Sequence, residues 1–319
     1  MTLPEATTVD GIVSLSVNRQ GVRRLRRVEV VKLRGRPHLL GEHLMRIGTD
    51  GVEMIPRLEA HLPEDKGFVP PRTRAGFGLP EFDWLMEGGL PIQSTTMLAG
   101  SMGIGKTLLA AHFATEGARR GEPTLFVSFF EHPSALAARA GRVGLDMMSQ
   151  AKEGRLGFFY QPPVEAEADV VTHRILEEVA RRGVKRLVVD GLTELELAIA
   201  DPERRRTFLA AFTLRMRLAG VTTLFTREVP KVAGTELDFS DAPVAGVGEN
   251  LLLLRFVELR GRIHRILSIL KMRDSKYDSD LREFEICDSG VRVLAPLRSA
   301  EGLLTGQARP IGSAIGGQG

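Results

Sequence analysis

The stretch GSMGIGKT, which runs from Gly100 to Thr107, constrains the fold of this chain more than any other segment. It fits the pattern G-x-x-x-x-G-K-[ST], in which glycines let the backbone wrap around phosphate groups with its N–H groups pointing inward. An apolar run, TTMLAG, leads into it, and an alanine-rich segment with helical composition, KTLLAAHFATEGARRG, leads out of it. A loop of this type between a strand and a helix predicts a phosphate site at the positive amino end of that helix.

The motif predicts a role for each of the last two residues of the loop. Lys106 is expected to reach the β- and γ-phosphates of ATP, and the Thr107 hydroxyl is expected to bind Mg²⁺. A glycine-rich turn that ends in Lys-Thr by chance is the alternative, but the flanking strand and helix disfavour it. The predicted nucleotide-binding set, in which Lys106 is also catalytic, comprises Gly100, Ser101, Met102, Gly103, Ile104, Gly105, Lys106 and Thr107.

Strands and helices alternate through the middle of the chain. The runs PTLFVSF, VKRLVVD and VTTLFT have the composition of buried strands, and helical patterns separate them. One of these helices begins at Asp201 and Pro202, residue types that are favoured at the N-cap and at the first helical position. This alternation predicts an α/β domain with a mainly parallel sheet covered by helices on both faces. From Asn250 onward the helical patterns stop, and NLLLLRF, HRILSILKM and REFEI predict an antiparallel β-region.

Two acidic residues follow predicted strands and are candidates for the chemistry of the site. Asp190 comes directly after RLVV, where the crevice of an open α/β sheet lies, and is expected to hold the metal together with Thr107. Its alternative role is to cap the following segment. Glu131 follows LFVSF and is expected to orient or deprotonate the attacking water, the alternative being an ordinary surface glutamate. His132 is a weaker candidate for the same role.

The first part of the chain repeats its last part. Lys32-Leu33-Arg34 and Lys271-Met272-Arg273 have the same form, and their lysines stand 239 residues apart. Three further positions are identical at that offset: Ile47 and Ile286, Gly51 and Gly290, and Val52 and Val291. Chance similarity between two β-meanders is the alternative, but the single offset favours duplication.

These patterns divide the chain into four predicted parts. Residues 1–57 form a short β-meander, 58–74 a charged and proline-rich linker, 75–298 the α/β domain, and 299–319 a flexible glycine-rich tail. A meander without the rest of its sheet exposes strand edges and has few apolar residues for a core of its own. It is therefore expected either to dock on the α/β domain or to be mobile, and to be dispensable for nucleotide binding.

The composition of the chain is that of a globular protein. The chain has 319 residues, of which 43% are hydrophobic and 26% charged, and this is ordinary for a globular protein. A net charge of +3 is a mild excess of basic residues and by itself supports no conclusion about nucleic acid, which we expect not to be a partner on the charge of one loop segment given below. The single cysteine, Cys287, excludes an intramolecular disulfide and fits a reducing compartment. No apolar run approaches the roughly 20 residues of a membrane span, and MTLPEATTVDG lacks the layout of a signal peptide, so we expect a cytoplasmic protein.

The quoted motifs carry a resemblance to a known family. The segment AGFGLPEFDWLMEGGLPIQSTTMLAGSMGIGKTLLAAHFATEGARRGEPTLFVSFFE resembles the KaiC family of RecA-like ATPases, and NLLLLRFVELRGRIHRILSILKMRDSKYDSDLREFEICDSGVRV resembles its closing β-region. The similarity runs from about Thr73 to Leu297. It implies a RecA-like P-loop fold, ATP hydrolysis with Mg²⁺, a homo-oligomeric ring that is a hexamer in the family, and signalling partners of the circadian-clock type. In two-domain members a linker joins the end of the first ATPase domain to the second, and this chain is similar to that end plus a whole second domain.

The resemblance also implies roles for individual residues. Glu131 falls where the family has two adjacent acidic residues, but His132 replaces the second of them, which puts the hydrolysis rate in question. Lys271 and Arg273 match residues that reach across the subunit interface of the ring to the neighbour's phosphates. There they would neutralise charge in the transition state.

One activity of the clock-type members depends on residues that this chain lacks. Those members phosphorylate an adjacent serine and threonine ahead of the strand that corresponds to NLLLL. Here Ala245 and Gly246 stand in those places, and the nearest hydroxyls belong to Ser240 and Thr235. Serine/threonine kinase activity is implied by the family, but not at its usual sites.

Two other functions are compatible with the same fold. A RecA-type DNA-dependent ATPase should carry basic loops, whereas TREVPKVAGTELDFSD has no excess of basic residues. A nucleotide-binding scaffold with negligible turnover is the second alternative, and His132 is the residue that favours it. The fold itself cannot decide among the three.

Overall fold

The computed structural model describes residues 8–20, 22–64, 67, 72–164, 166–229, 248–259, 261–296, 300–301 and 309–310. Within these ranges no helix has both the length and the apolar composition needed to cross a membrane. Four residues discussed above in connection with phosphorylation lie outside the described ranges: Thr235, Ser240, Ala245 and Gly246.

Short and medium-length strands account for much of the described chain. In chain order they are β1 (Gly11–Gln20), β2 (Arg23–Leu33), β3 (His43–Gly48), β4 (Gly51–Ile55), β5 (Arg74–Ala75), β6 (Leu90–Pro91), β7 (Thr95–Gly100), β8 (Thr124–Ser128), β9 (Leu156–Tyr160), β10 (Arg186–Asp190), β11 (Thr222–Glu228), β12 (Asn250–Leu259), β13 (Arg262–Met272), β14 (Arg282–Cys287), β15 (Gly290–Pro296), β16 (Ala300–Glu301) and β17 (Arg309–Pro310).

A nine-stranded sheet organises the α/β domain, in the order β15-β14-β13-β12-β7-β11-β10-β8-β9. The six strands from β12 to β9 run parallel to one another, and β13, β14 and β15 continue the sheet in antiparallel fashion. One detail differs from the sequence-based expectation: β12 pairs with β7 in parallel and belongs to the parallel part of the sheet. Its leucines are apolar on both faces, as a strand between two helix layers requires.

Seven α-helices are present among the described residues: α1 (Pro80–Trp84), α2 (Lys106–Arg119), α3 (Pro133–Gly141), α4 (Met147–Lys152), α5 (Ala168–Arg182), α6 (Leu192–Leu197) and α7 (Arg205–Leu218). Asp201 does act as an N-cap, with its carboxylate accepting from the N–H of Glu203 at 2.9 Å. The turn that it caps is a short 3₁₀ helix, Pro202–Arg204, and the α-helix proper begins at Arg205.

The sheet separates two apolar cores, one under each helix layer. On one face α1, α2 and α3 pack against alternate residues of the strands, and Phe77, Phe82 and Phe113 lie fully buried there. On the other face α5 and α7 pack with Phe208 and Phe212 at the centre. A mainly parallel sheet thus has one layer of helices on each face. Together with the antiparallel extension and the N-terminal meander, this arrangement confirms the fold class expected from the sequence.

The N-terminal residues form a separate four-stranded antiparallel sheet in the order β1-β2-β3-β4. Its inner face carries Leu25, Leu44 and Ile55, all buried. Next to them Arg23 donates to the carbonyl of Ala166 and to the carboxylate of Glu167, each at 3.1 Å. These contacts place the N-terminal sheet against the start of α5.

The segment after β4 is tied into the α/β domain by buried contacts. Leu58 is fully buried in the core under α5 and α7, and its N–H donates to Asp169 at 3.1 Å. Arg204 binds both Glu59, at 2.7 Å, and Asp169, at 3.1 Å. The first residues of the stretch that the sequence suggests as a linker therefore contribute to the core.

Candidate nucleotide-binding site

The loop 100–107 lies between β7 and α2, as its sequence indicates. All six residues of β7 are buried, and the strand ends at Gly100. A Cβ atom at Gly100 would lie 2.7 Å from the carbonyl oxygen of Leu254 on β12, so only glycine permits this approach of the two strands. Gly105, at a φ of 120°, precedes the first turn of α2. The free N–H groups of that turn therefore face the space enclosed by the loop.

Lys106 bridges the loop with its side chain. Its Nζ donates to the carbonyl oxygens of Gly100 at 2.9 Å and Ser101 at 2.8 Å. Burial lowers the pKa of Lys106 from its ordinary value, while the charges of Glu228 and Asp190 act in the opposite direction. The ammonium group is thus held at the mouth of the loop by neutral acceptors that an anionic phosphate could replace.

A hydroxyl–carboxylate–hydroxyl cluster stands beside the loop. The Thr107 hydroxyl lies 3.0 Å from Oδ2 of Asp190, and the Thr226 hydroxyl donates to Oδ1 of the same carboxylate at 2.6 Å. Parallel register brings them together: Asp190, at the end of β10, stands level with Thr226 on β11 and with Ser128 on β8. The carboxyl ends of neighbouring parallel strands thus form one polar edge, where ligands of α/β sheets bind.

Burial raises the pKa of Asp190, and its hydrogen bonds with Thr226 and Thr107 and the charges of Arg139 and Lys106 oppose that rise. A nearly buried carboxylate that is held by two hydroxyls and flanked by two cations is suited to a positively charged ligand.

The donor set fits Mg²⁺ bound together with a nucleotide. The Thr107 hydroxyl and the Asp190 carboxylate are hard oxygen donors, which Mg²⁺ prefers, and Mg²⁺ commonly takes its other ligands from phosphates and water. Among the described residues no group of three or more His, Cys, Asp or Glu side chains could form an all-protein metal cage. The residues present therefore fit a metal that arrives with its phosphates.

Glu131 lies near Asp190, three residues beyond the end of β8. Its N–H donates to the Ser128 hydroxyl at 3.1 Å, and its carboxylate accepts from Arg139 of α3 at 2.5 Å. Burial raises the pKa of Glu131, Arg139 lowers it, and the negative charge of Asp190 raises it further. The half-buried carboxylate is thus a stronger base than an ordinary glutamate, as a residue that activates water needs to be.

His132, the neighbour of Glu131, is exposed and has contacts of its own. It occupies the N-cap of α3, where Nδ1 accepts from the N–H of Ser134 at 3.3 Å and lies 2.8 Å from the Ser134 hydroxyl. Its ring meets the edge of Tyr160 at a centroid distance of 5.4 Å. These contacts are those of an exposed helix cap.

Lys271 and Arg273 lie at the other end of the sheet from the loop of their own subunit. Leu254 of β12 pairs with both Gly100 and Leu267, so Lys271, four residues further along β13, lies about 13 Å toward the amino end of β7. Lys271 donates to the carbonyl of Gly248 at 2.9 Å, and Arg273 is exposed. The fold does not bring these two cations to the phosphate loop of the same chain.

The structure thus gathers Gly100–Thr107, Asp190 and Glu131 at one edge and leaves Lys271 and Arg273 apart. It adds two residues that the sequence reasoning missed, Thr226 and Arg139. Thr226 closes a predicted strand just as Asp190 does, and this polar strand end was a usable signal. Nothing in the sequence pattern around Arg139 distinguishes it from other helical arginines.

Comparison with known proteins agrees with this geometry. Circadian clock oscillator protein KaiC from a Picosynechococcus strain is 27% identical over 297 residues, which are 93% of this chain and 56% of that protein. Circadian clock protein KaiC3 from a Synechocystis strain is 29% identical over 285 residues, which are 89% of this chain and 55% of the relative. The chain therefore spans about half the length of the curated relatives it matches. The family model described as the KaiC ATPase matches residues 75–298. Because that match takes in well over half of the sequence, the chain belongs to the KaiC family of ATPases.

Proposed function

We propose that this chain binds ATP with Mg²⁺ in the loop 100–107 and hydrolyses it as part of a homo-oligomeric ring. The observation that carries the proposal is the junction of Lys106, Thr107 and Asp190 at the carboxyl ends of β7 and β10. A cation, a hydroxyl and a carboxylate next to a ring of inward N–H groups form a site for a metal-bound polyphosphate.

Each side chain of the site has a task in this mechanism. Lys106 would exchange its two carbonyl acceptors for phosphate oxygens, and Thr107 and Asp190 would hold the metal. Mg²⁺, when bound, neutralises phosphate charge and orients the phosphate chain. Glu131 would orient the attacking water and accept its proton, which requires the ionised carboxylate that Arg139 favours.

The positions of Lys271 and Arg273 support assembly as part of the function. About 13 Å separates Lys271 from the level of its own phosphate loop along the sheet, so these cations could complete a nucleotide site only on a neighbouring subunit. Cations supplied in trans stabilise the charge of phosphoryl transfer. We propose a ring in which each ATP lies between two copies of the chain, with the hexamer of the family as the expected size.

The relatives are named circadian clock proteins, and we propose a signalling role with protein partners for this chain as well. A DNA-dependent motor is the competing function. Single-stranded DNA should leave the ATPase rate unchanged within about twofold at low salt. A salt-sensitive stimulation by DNA would favour the competing function.

A subunit-mixing experiment tests hydrolysis and assembly together. Lys106→Ala removes the phosphate cation of one subunit, and Arg273→Ala removes the trans cation of another. Each variant alone should lose most of its MgATP turnover, while a mixed ring should recover part of it because some of its sites are intact on both sides. No recovery in a preparation that light scattering shows to be mixed rings would indicate sites complete within one chain. Absence of turnover in the unmodified protein would contradict hydrolysis itself.

A further inference from the structure

The N-terminal sheet turns a broad apolar face to solvent. Its inner face packs on α5, while its outer face carries six aliphatic side chains that are each 57% to 64% exposed: Val13, Leu15, Val17, Ile47, Val52 and Met54. The strand register places them on one side, since Leu15 pairs with Val28, Met45 with Met54, and Ile47 with Val52. Contiguous apolar patches on this scale mark interaction sites more often than plain surface.

The second copy of the internal repeat shows what kind of surroundings such a face has when it is buried. At the offset of 239 residues, the outer-face positions of β1 to β4 correspond to residues of β12 to β15 that lie in the core over α2. The buried counterparts of Val13, Leu15, Val28, Val30, Met45, Val52 and Met54 are, in that order, Leu252, Leu254, Leu267, Ile269, Phe284, Val291 and Val293. The same pattern is thus core in the second copy. In the first copy Val13, Leu15, Val52 and Met54 are exposed, Val30 and Met45 are partly buried, and Val28 is buried.

In the second copy an alanine- and leucine-rich helix covers this face. Leu109, Ala110 and Phe113 of α2 share the core with the strand residues just named. Contact is direct, because the N–H of Val291 donates to Nε2 of His112 at 3.4 Å and a Cβ at Gly105 would lie 3.1 Å from Ile286. A helix of this composition is therefore the occupant that the shape of the face accommodates.

Charge sets the N-terminal face apart from its counterpart. Arg24 and Arg26 lie on it at one end, where the second copy has Ile263 and Arg265. The strand acids Glu29 and Glu53 alternate onto the opposite face, and Asp50 lies in the turn between β3 and β4. A groove of about 710 Å³ opens at this end of the sheet, and its lining includes Arg24, Arg26, Ile47 and Val52 together with the acidic residues Asp50, Glu53 and Glu167. The face therefore combines an apolar centre with a cationic end.

The repeat also indicates which end of a helix would meet the arginines. Leu254 pairs with Gly100, so the end of β12 and β13 that carries Arg265 lies on the side where α2 begins. A helix seated in the same way on the N-terminal sheet would place its first turn near Arg24 and Arg26. Acidic residues in that first turn would bind these cations and also suit the helix dipole.

We propose that the outer face of the N-terminal sheet docks an amphipathic helix of a partner protein, with an alanine-, leucine- and phenylalanine-rich face and an acidic first turn. The binding follows the helix-on-apolar-surface mode of recognition. It does not depend on ATP turnover, because the face is separate from the phosphate loop.

A synthetic peptide tests this proposal in the absence of nucleotide. The probe is residues 106–121 of this chain carrying Lys106→Glu and Thr107→Glu, labelled for fluorescence anisotropy and titrated with the full chain. We expect saturable binding with a Kd on the order of micromolar, and weaker binding of the same peptide with its natural Lys106 and Thr107. In the protein, Arg24→Glu with Arg26→Glu should reverse that preference.

Matched variants distinguish peptide binding at this face from nonspecific binding to other exposed apolar side chains. Leu15→Asp and Ile47→Asp should each weaken peptide binding by about tenfold or more, since each puts a carboxylate among the exposed aliphatic side chains of the face. Ile263→Asp changes an aliphatic side chain that is also exposed, 75%, but lies outside the face, and it should leave binding unchanged. Equal effects of all three, or no saturable binding up to about 1 mM, would overturn the proposal. So would self-association of the chain that Ile47→Asp abolishes, because the occupant would then be a second copy.

Discussion

At the scale of single residues, each charged group of the proposed site is hydrogen-bonded to neighbouring groups of the protein. Lys106 is held by two carbonyls, Asp190 by two hydroxyls, and Glu131 by Arg139. Each of these contacts is satisfied without substrate, so the side chains are ordered in advance and little reorganisation is needed when phosphate and metal arrive.

Glu131→Gln should separate binding from turnover. The amide has the size of the carboxylate but cannot accept a proton, so we expect the ATPase rate to fall by about two to four orders of magnitude. ATP affinity should change by less than about threefold, because Glu131 is not among the loop residues that we propose to hold phosphate. Binding is measured by calorimetry and turnover by phosphate release. Equal and measurable turnover in both proteins would show that Glu131 does not activate the water, whereas negligible turnover in both would favour the scaffold.

The acidic limb of the pH–rate profile should report Glu131. Burial and Asp190 raise its pKa, so the carboxylate becomes protonated, and turnover declines, at a higher pH than for an exposed glutamate. Arg139 opposes that rise, and Arg139→Gln should therefore move the limb to still higher pH while rates at alkaline pH stay similar. Arg142→Gln at the end of the same helix is the control and should leave the profile in place. A limb that Arg139→Gln does not move would mean that another group controls it.

At the scale of secondary-structure elements, the parts that the sequence predicts best are those with local signals. The loop 100–107, the strands of the parallel sheet, the helix that ends near Gly121 and the helix that follows Asp201 are predicted by glycine, capping and apolar patterns within a few residues of each element. Register between strands is not local, so the pairing of Asp190 with Thr226 and the parallel pairing of β12 with β7 required the folded sheet. The same holds for the Arg139 contact, which depends on how α3 packs.

His112 joins α2 to β15 and should make this junction sensitive to acid. Burial lowers its pKa to about 4 from an ordinary value of 6.5. The unfolded chain therefore binds a proton at this group below about pH 6.5 while the folded chain does not. Its share of the free energy of unfolding falls as the pH drops from 6.5 to about 4 and falls no further below that. A shift of this size corresponds to about 3 kcal/mol at most.

Urea denaturation at pH 7.5 and pH 5 measures this effect. His112→Gln keeps an acceptor for the N–H of Val291 but cannot be protonated in this range, so its stability should depend less on pH than that of the unmodified chain. The same pH dependence in both proteins would show that other groups cause it.

At the scale of the whole molecule, two β-regions with related sequences have opposite surroundings. The C-terminal one completes the sheet beside the phosphate loop, whereas the N-terminal one docks on α5 with its other face open. Sequence similarity indicated a duplication but not the docking, because the contacts of Arg23 and Leu58 with residues more than a hundred positions away leave no local pattern. We propose residues 1–57 and 75–298 as the two units of the chain. The buried contacts of Leu58 indicate that residues ahead of 75 also belong to the second unit.

Two N-terminal deletions should differ sharply although they differ by only nine residues. Removal of residues 1–57 takes away the N-terminal sheet but keeps Leu58 in the core and Glu59 on Arg204, so the α/β domain should fold and bind MgATP. Removal of residues 1–66 opens a cavity where Leu58 was and leaves the Arg204–Asp169 pair without its second carboxylate. By analogy with large-to-small core changes, this further cut should lower the free energy of unfolding by about 2 to 5 kcal/mol. Leu58→Ala in the full chain is the matched test of the cavity alone and should account for most of the difference. Equal urea midpoints for the two deletions would show that Leu58 and Glu59 contribute nothing to the α/β domain and that the linker begins directly after the N-terminal sheet.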